Sequence, residues 1–230
     1  MKIIDLENYP RRSHFEFFNA MAYPYVGLTA NVDVTKLLAF AKEKGSSSFL
    51  ACLWAAAPAA NAVPELRQRI VNGQIVEFDH CDTAHTVALP DRTFVNCRTD
   101  CRMSLEEFLV DGKNKQEQVK NLHGFVTTAE DETPLIFASC MPWVAFTQVI
   151  QPTPIPADSN PRIVFGKYIR QGEQTLMPLS LQGNHALIDG WHISEFFRIF
   201  QQINDEIYGR GHTPPFLRRF LCFISRNWMP

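Results

Sequence analysis

A basic stripe, an apolar leader and a membrane-length apolar run are all missing from this 230-residue sequence. The formal net charge is −2, and without a basic stripe we expect no nucleic-acid partner. Residues 1–12 lack the apolar core of a signal peptide. The longest uncharged apolar run, residues 49–63, is too short to span a bilayer. We therefore expect a cytoplasmic protein without a membrane partner.

Internal repeats, low-complexity tracts and linkers rich in glycine and serine are also missing, so no change of composition divides the chain. Hydrophobic residues make up 46% of the sequence and charged residues 20%, which suits a large buried core and argues against disorder. We expect a single domain over residues 1–208. Residues 209–230, which Pro214 and Pro215 interrupt, are expected to form a C-terminal extension of unknown role.

The cysteines follow no standard zinc-binding pattern, although two groupings with histidine can be drawn. His80 and Cys81 could join His85, and Cys97 could join Cys101, but zinc sites usually have paired short spacings. We interpret these cysteines as free thiols in a reducing compartment, and we predict no metal site. The sequence contains six of them: Cys52, Cys81, Cys97, Cys101, Cys140 and Cys222.

Hydrophobic periodicity and turn residues predict an alternation of helices and strands along the chain. Helices are predicted over residues 34–44, 104–122 and 191–208, and in the Ala-rich stretch after residues 46–48, where Pro58 is expected to disturb the helix. Strands are predicted over residues 74–78, 83–89, 93–97, 135–139, 144–150, 162–170 and 174–183. This order favours an α+β fold, a two-layer sandwich of helices and a large mixed, mostly antiparallel sheet.

The most informative short motif places a histidine four residues before an Asp-Gly pair. His185 follows the last predicted strand, and Asp189 and Gly190 follow it in turn. Neutral imidazole is the natural base near pH 7, and an Asp-Gly turn lets a carboxylate point back into the fold. Only three of the six positions of this motif are specified, so the motif also occurs by chance in unrelated sequences. A hydrogen-bonded core histidine beside a turn aspartate is the alternative interpretation.

Other segments occur together with this motif in a fixed order. They are residues 9–18 (YPRRSHFEFF), 64–67 (PELR), 139–144 (SCMPWV), 166–168 (GKY) and 177–182 (MPLSLQ). This colinear set resembles the chloramphenicol acetyltransferase family of the trimeric, catalytic-histidine type, from about residue 5 to residue 208. The resemblance implies the fold of that family, without a metal, and a role in antibiotic resistance.

The resemblance implies acetyl transfer from acetyl-CoA to a hydroxyl of a small molecule, with chloramphenicol as the expected acceptor. His185 matches the general base, and Ser139 matches the serine that supports the oxyanion. Asp189 and Arg11 match an ion pair that secures the turn carrying the base. Taken singly, Ser139 could instead bond a strand end, and Arg11 could be solvated.

The same resemblance assigns binding roles and an assembly. The acceptor is expected to meet Phe17, Phe18 and Phe94, and coenzyme A is expected to meet Lys167 and Tyr168. The family forms a homotrimer with active sites between subunits. We therefore expect the base of one chain to face the pocket of the next.

Three positions depart from the family pattern. Asn184 stands where a second histidine often precedes the base, Phe18 replaces a tyrosine that contacts the acceptor, and Val164 replaces a threonine tied to an ordered water. These changes concern the acceptor more than the chemistry, because His185 and Ser139 are both kept.

Two other functions remain open at this point. The first is the acyltransferase core of a 2-oxo acid dehydrogenase complex, which shares the fold and acts on dihydrolipoamide, although such chains usually carry a lipoyl domain upstream. The second is a non-catalytic family member that only binds a ligand. Acetyl transfer to dihydrolipoamide would favour the first, and acetyl-CoA binding without turnover would favour the second.

Overall fold

The computed structural model describes residues 1–122 and 133–208, so the predicted extension 209–230 lies outside the described residues. The helices are α1 (Arg12–Asn19), α2 (Thr35–Glu43), α3 (Ser48–Asn61), α4 (Leu105–Val119) and α5 (Gly190–Glu206), and a 3₁₀ turn spans Pro64–Arg67. The strands are β1 (Lys2–Ile3), β2 (Tyr25–Asp33), β3 (Gln68–Val71), β4 (Gln74–Glu77), β5 (Asp82–Ala88), β6 (Phe94–Thr99), β7 (Leu135–Cys140), β8 (Arg162–Phe165), β9 (Ile169–Gln171) and β10 (Gln174–Asn184).

A seven-stranded sheet organises the chain. Its strands lie in the order β2-β10-β8-β7-β5-β6, with β9 added beside β10, while β1, β4 and β3 form a separate small sheet. The pairs β5–β7 and β7–β8 are parallel, and the other pairs of the large sheet are antiparallel. The prediction of a mixed, mostly antiparallel sheet is therefore confirmed.

The two faces of the sheet differ in chemistry. Along β10, Leu179 and Leu181 are fully buried in the same core as helices α3 and α5. Ser180 and Gln182 alternate with them and share a cavity with Gln148, a residue of the segment between β7 and β8. Because side chains alternate along a strand, the helices form one layer and the sheet turns its polar residues away from them.

Helix α3 is buried on every side, which explains why Pro58 does not end it. All residues from 50 to 60 are buried, and the helix continues through Pro58 to Asn61. Proline removes one backbone donor, but the Pro58 carbonyl still accepts from the Ala62 N–H at 2.9 Å. The expected disturbance at Pro58 was wrong, because tertiary packing outweighs a single lost hydrogen bond near the end of the helix.

The strand predicted over residues 144–150 was also wrong. This segment has no regular structure, and the apolar side chains of Val144 and Ile150 are 57% and 83% exposed. Its apolar residues therefore do not belong to a strand that packs on the core of this chain. Residues 162–170 form two short strands rather than one. At Gly166 between them, a Cβ atom would lie only 2.9 Å from a side-chain carbon of Pro178.

A capping box at Ser104 confirms the predicted start of α4. The backbone N–H of Glu107 donates to Ser104 Oγ at 3.3 Å, and the Ser104 N–H donates to the Glu107 carboxylate at 3.0 Å. Each end of the box satisfies a backbone donor that the first turn of a helix leaves open.

Ser104→Ala should lower the free energy of unfolding by about 1 kcal/mol, because the cap of α4 is lost while no core residue changes. Urea unfolding followed by tryptophan fluorescence measures this effect. Ser46→Ala is the matched control and should leave the midpoint unchanged, since Ser47 rather than Ser46 caps α3. Equal midpoints for Ser104→Ala and the wild type would contradict the role of the cap.

Candidate active site

His185 lies immediately after β10 and is held by its backbone and by its ring. The His185 N–H donates to the Pro24 carbonyl at 2.7 Å, and Nδ1 lies 2.8 Å from the Ile188 carbonyl oxygen. A carbonyl can only accept, so Nδ1 carries the proton. The neutral ring then keeps a lone pair on Nε2, which is the arrangement that a general base needs.

Phe18 covers one face of this imidazole. The two rings are stacked with centroids 3.7 Å apart and planes 16° from parallel. Phe17 in turn meets Phe18 edge to face at 5.1 Å and is itself 64% exposed. Phe18 therefore restricts the orientation of the His185 ring, while Phe17 presents an apolar surface beside it.

Asp189 is the cap of helix α5 and the acceptor of several bonds. Its carboxylate accepts from the Trp191 N–H at 3.0 Å and from the Arg11 guanidinium. His192 Nδ1 accepts from the Asp189 N–H at 3.1 Å and lies 2.8 Å from the same carboxylate. On its other side, His192 Nε2 lies 3.7 Å from the carboxylate of Glu65. Arg11, Asp189, His192 and Glu65 therefore form a continuous polar network at the start of α5.

The network keeps Asp189 ionised. Partial burial acts to raise the pKa of the Asp189 carboxyl, but the hydrogen bond from Arg11 and the nearby His192 lower this pKa from 3.8 to about 2. The ion pair expected between Arg11 and Asp189 is therefore present. It fixes the turn that connects His185 to helix α5, and we call Arg11, Phe17, Phe18, His185 and Asp189 the base cluster.

Ser139 lies near the end of β7 and is bonded to a neighbouring strand. Its Oγ is 3.0 Å from Thr86 Oγ1 on β5. Phe94 begins β6 opposite Ala88, on the same sheet face as Thr86, and is 47% exposed. Strand pairing thus places a serine hydroxyl, a threonine hydroxyl and an exposed aromatic ring on one face of the sheet.

An open pocket of about 530 Å³ adjoins this serine. Its wall includes Thr86, Cys140, Lys167 and Tyr168, together with Ser48 and Phe49 at the start of α3. Burial raises the pKa of the Tyr168 phenol, so this hydroxyl remains protonated at neutral pH. We call Thr86, Phe94, Ser139, Lys167 and Tyr168 the serine cluster.

The residues of the pocket fit an acyl donor such as acetyl-CoA. Known ligand pockets have volumes of a few hundred Å³ and combine an apolar wall with few polar groups. Here Phe49 supplies apolar surface, and Lys167 is an exposed cation beside the first turn of α3. A cation and a helix N-terminus both favour a phosphate-bearing ligand at the mouth of the pocket.

The register of the sheet separates the base cluster from the serine cluster within one chain. Ser139 is paired with Val164, and Val164 with Ser180. His185 lies five residues beyond Ser180, so it is roughly 17 Å farther along the strands and roughly 10 Å across two strand spacings. The two residues that the sequence assigns to catalysis do not meet in a single chain.

The three departures from the family pattern have defined surroundings. The Asn184 amide donates to the Asp158 carbonyl at 3.0 Å, and its Oδ1 accepts from the Ala186 N–H at 3.0 Å. Val164 is buried between Ser139 and Ser180. Phe18, the third departure, is stacked on the His185 ring as described above. Each of them thus adjoins one of the two clusters.

Sequence reasoning missed three residues that contact the site. Thr86 gave no signal beyond its place in a predicted strand. Glu65 lies in the quoted motif PELR, and His192 lies two residues after the Asp-Gly pair. Neither spacing nor residue type indicated that His192 would contact Asp189 or that Glu65 would approach His192. Their contact depends on a fold that brings the 3₁₀ turn to the start of α5.

The cysteines in the described residues are all free thiols, as expected, and Cys222 lies outside the described residues. His85 is fully buried, and burial lowers the pKa of its imidazole to about 4. Potential metal ligands do approach one another at His80, Asp82 and Asp100, within 4.8 Å. Asp82 is paired with Arg98 and Asp100 with Arg102, so arginines already balance both carboxylates. No helix in the described part of the chain has the length and apolar character to cross a bilayer.

Comparisons with known proteins identify the family. The sequence profile of the family described as chloramphenicol acetyltransferase matches residues 1–201. A chloramphenicol acetyltransferase of Klebsiella sp. is 29% identical over 215 residues, which cover 90% of this chain and 94% of that protein. A solved chloramphenicol acetyltransferase structure, 27% identical, superposes with a TM-score of 0.78 over 87% of this chain and 97% of its own.

The fold also occurs in a second kind of acyltransferase. A probable dihydrolipoamide acetyltransferase from Listeria monocytogenes superposes with a TM-score of 0.65, covering 93% of this chain and 98% of its own, at 16% identity. That match concerns the fold alone. By class the protein is an acyltransferase. The profile match over most of its length shows that the chain belongs to the chloramphenicol acetyltransferase family.

Asp189→Asn should remove a pH-dependent part of the stability. The folded-state pKa of Asp189 is lowered, so its contribution is fully present above pH 3.8 and is lost as the pH falls toward about 2. Urea midpoints measured over a pH series should therefore differ between wild type and variant at neutral pH. This difference should narrow below pH 3.8.

Arg11→Gln supplies the control for this experiment. Without the guanidinium, Asp189→Asn should cost less stability than in the wild-type background, because residues in one ion-pair network are not additive. Strict additivity of the two changes, or a difference that persists unchanged at pH 2, would mean that the two side chains do not interact in solution.

Proposed function

We propose that residues 1–208 form an acetyl-CoA-dependent O-acetyltransferase in which His185 is the general base, with chloramphenicol as the expected acceptor. The observation that carries this proposal is the geometry of the base. Nδ1 of His185 is committed to the Ile188 carbonyl, so the lone pair of Nε2 is available to an acceptor hydroxyl. Membership of the chloramphenicol acetyltransferase family supports the choice of reaction.

The reaction is a direct acyl transfer. His185 Nε2 takes the proton of the acceptor hydroxyl while that oxygen attacks the carbonyl carbon of the acetyl thioester. Ser139 donates a hydrogen bond to the oxyanion of the tetrahedral intermediate. The intermediate then collapses, the carbon–sulfur bond breaks, and the imidazolium returns its proton to the departing thiolate. The products are the acetyl ester and free coenzyme A.

The remaining residues of the base cluster position His185. Phe18 restricts its ring through stacking, and the Arg11–Asp189 pair secures the turn that follows it. Such preorganisation matters because a small displacement of a reacting group reduces the rate strongly. Phe17, Phe18 and Phe94 are proposed to bind the aromatic part of the acceptor, and the absence of a hydroxyl on Phe18 leaves the acceptor one hydrogen bond fewer.

Lys167 and Tyr168 are proposed to bind the acyl donor. Lys167 is exposed at the pocket mouth, where a phosphate of coenzyme A would meet a positive charge. Tyr168 lines the same pocket, together with Cys140 and Phe49, and would supply an apolar ring surface for the pantetheine arm. The donor would then run from Lys167 toward Ser139.

We propose a homotrimer in which His185 of one chain faces Ser139 of the next. The separation of roughly 17 Å along the strands within one chain supports this arrangement, because a single chain leaves each group without its partner. Exposed apolar side chains border both clusters. Phe17 and Trp191 lie beside the base, and Trp143 and Val144 follow the serine strand. Apolar surface of this kind is typical of protein interfaces.

The first test is a screen of chloramphenicol and other hydroxylated compounds with acetyl-CoA, read by thiol release and product mass. His185→Ala should reduce kcat at least ~10²-fold, since general acid–base catalysis is lost, while binding of coenzyme A persists. His14→Ala, an exposed histidine on α1, is the matched control and should retain full activity. A wild-type trimer that acetylates none of the acceptors would contradict the proposed function.

Ser139→Ala should act on kcat rather than on KM. Removing one oxyanion donor is expected to lower kcat by ~10 to 10³-fold, with little change in the KM of either substrate, because the contact forms mainly in the transition state. Steady-state kinetics with each substrate varied in turn measure this. A change confined to KM would make Ser139 an ordinary substrate contact.

The interfacial site predicts complementation between inactive subunits. When His185→Ala and Ser139→Ala chains are refolded together in equal amounts, about one quarter of the interfaces should combine an intact base with an intact serine. Turnover should then recover to about that fraction of the wild-type value. Each variant refolded alone is the control. Absence of recovery in mixed trimers would contradict an active site that His185 and Ser139 of neighbouring chains share.

A further inference from the structure

Polar side chains form a row across the face of the large sheet that lies opposite helices α3 and α5. The pairing of β6, β5, β7, β8, β10 and β2 aligns one residue from each strand. In sheet order these residues are Asn96, Thr86, Ser139, Val164, Ser180 and Thr29. Five of the six carry a hydroxyl or an amide, and Val164 is the exception.

Val164 leaves Ser139 with a hydroxyl neighbour on one side only. On the β8 side, the cross-strand neighbour of Ser139 is this buried valine, which cannot form a hydrogen bond. On the β5 side, Thr86 Oγ1 lies 3.0 Å from Ser139 Oγ. Among the described residues, Thr86 is thus the side chain that forms a hydrogen bond with Ser139.

The direction of this hydrogen bond decides what Ser139 can do. A hydroxyl has one proton to donate and two lone pairs to accept with. If Ser139 donated to Thr86, its proton would point across to β5 and would not be available to a substrate. If Thr86 donates, Ser139 accepts and its own proton stays available. An oxyanion donor must have that second arrangement.

We propose that Thr86 is a positioning residue that donates to Ser139 and directs the Ser139 proton toward the oxyanion. This inference rests on the proposed function, because it matters only if Ser139 meets a developing negative charge. Thr86 also lines the donor pocket, so it holds the serine at the edge of the space that the thioester would occupy. Thr86 itself need not touch the reacting atoms.

Thr86→Val tests the proposal, since it removes the hydroxyl and nearly preserves the shape. We expect kcat to fall about three- to tenfold, the effect of one lost hydrogen bond, with little change in either KM. Thr86→Ser keeps the hydroxyl and should remain close to wild type. In a Ser139→Ala background, Thr86→Val should cause no further loss, because its partner is already missing. Thermal melting curves check that each variant folds, and Thr86→Ala replaces Thr86→Val if valine prevents assembly.

The outcomes separate this inference from the function on which it rests. Wild-type turnover together with an unchanged kcat in Thr86→Val and Thr86→Ala would overturn the role of Thr86 and leave the proposed function intact. An equal loss of kcat with and without Ser139 would also overturn it, because Thr86 would then act through the general structure of the sheet. Wild-type protein that acetylates no acceptor would overturn both.

Discussion

Strand β10 is hydrogen-bonded to β2 along one edge and to β8 along the other, and this double pairing fixes the whole site. A slip of one residue would move Ser180 and Gln182 into the helical core and turn Leu179 and Leu181 outward. The same register aligns Ser139 with Val164 and sends the end of β10 beyond it. The distance between His185 and Ser139 within one chain is therefore set by backbone pairing.

The sequence predicted those elements whose signals are local. Helix α4 begins at its capping box, α5 begins at the Asp-Gly pair with Asp189 as its cap, and β10 ends where the alternation ends. Residues 144–150 were also predicted as a strand, but most of them are exposed and form no regular structure, because an apolar pattern does not say what covers it. At Pro58 the sequence predicted a disturbed helix, but α3 continues through this residue. Helix propensity does not take into account the packing that surrounds α3.

The residues of the candidate site were likewise predictable only where the sequence carries a local motif. Arg11, Asp189 and Phe18, which is stacked on His185, all lie in motifs that carry the resemblance to the family, so the sequence pointed to them. Thr86 could not be found in that way, because a threonine in a strand is ordinary and its value comes from register with β7. The same holds for Glu65, which acts at the start of α5 although 124 positions separate it from Asp189. Contacts across such distances follow from tertiary structure alone.

The exposed apolar side chains after β7 bear on how the protein is made. Trp143, Val144 and Ile150 remain in contact with water in the folded single chain, and burying apolar surface is favourable by roughly 25 cal/mol per Å². A newly synthesised chain with such a surface adheres to whatever apolar surface it meets first. The yield of soluble protein should therefore depend on the rate of synthesis and on temperature, even if the fold of the single chain is stable.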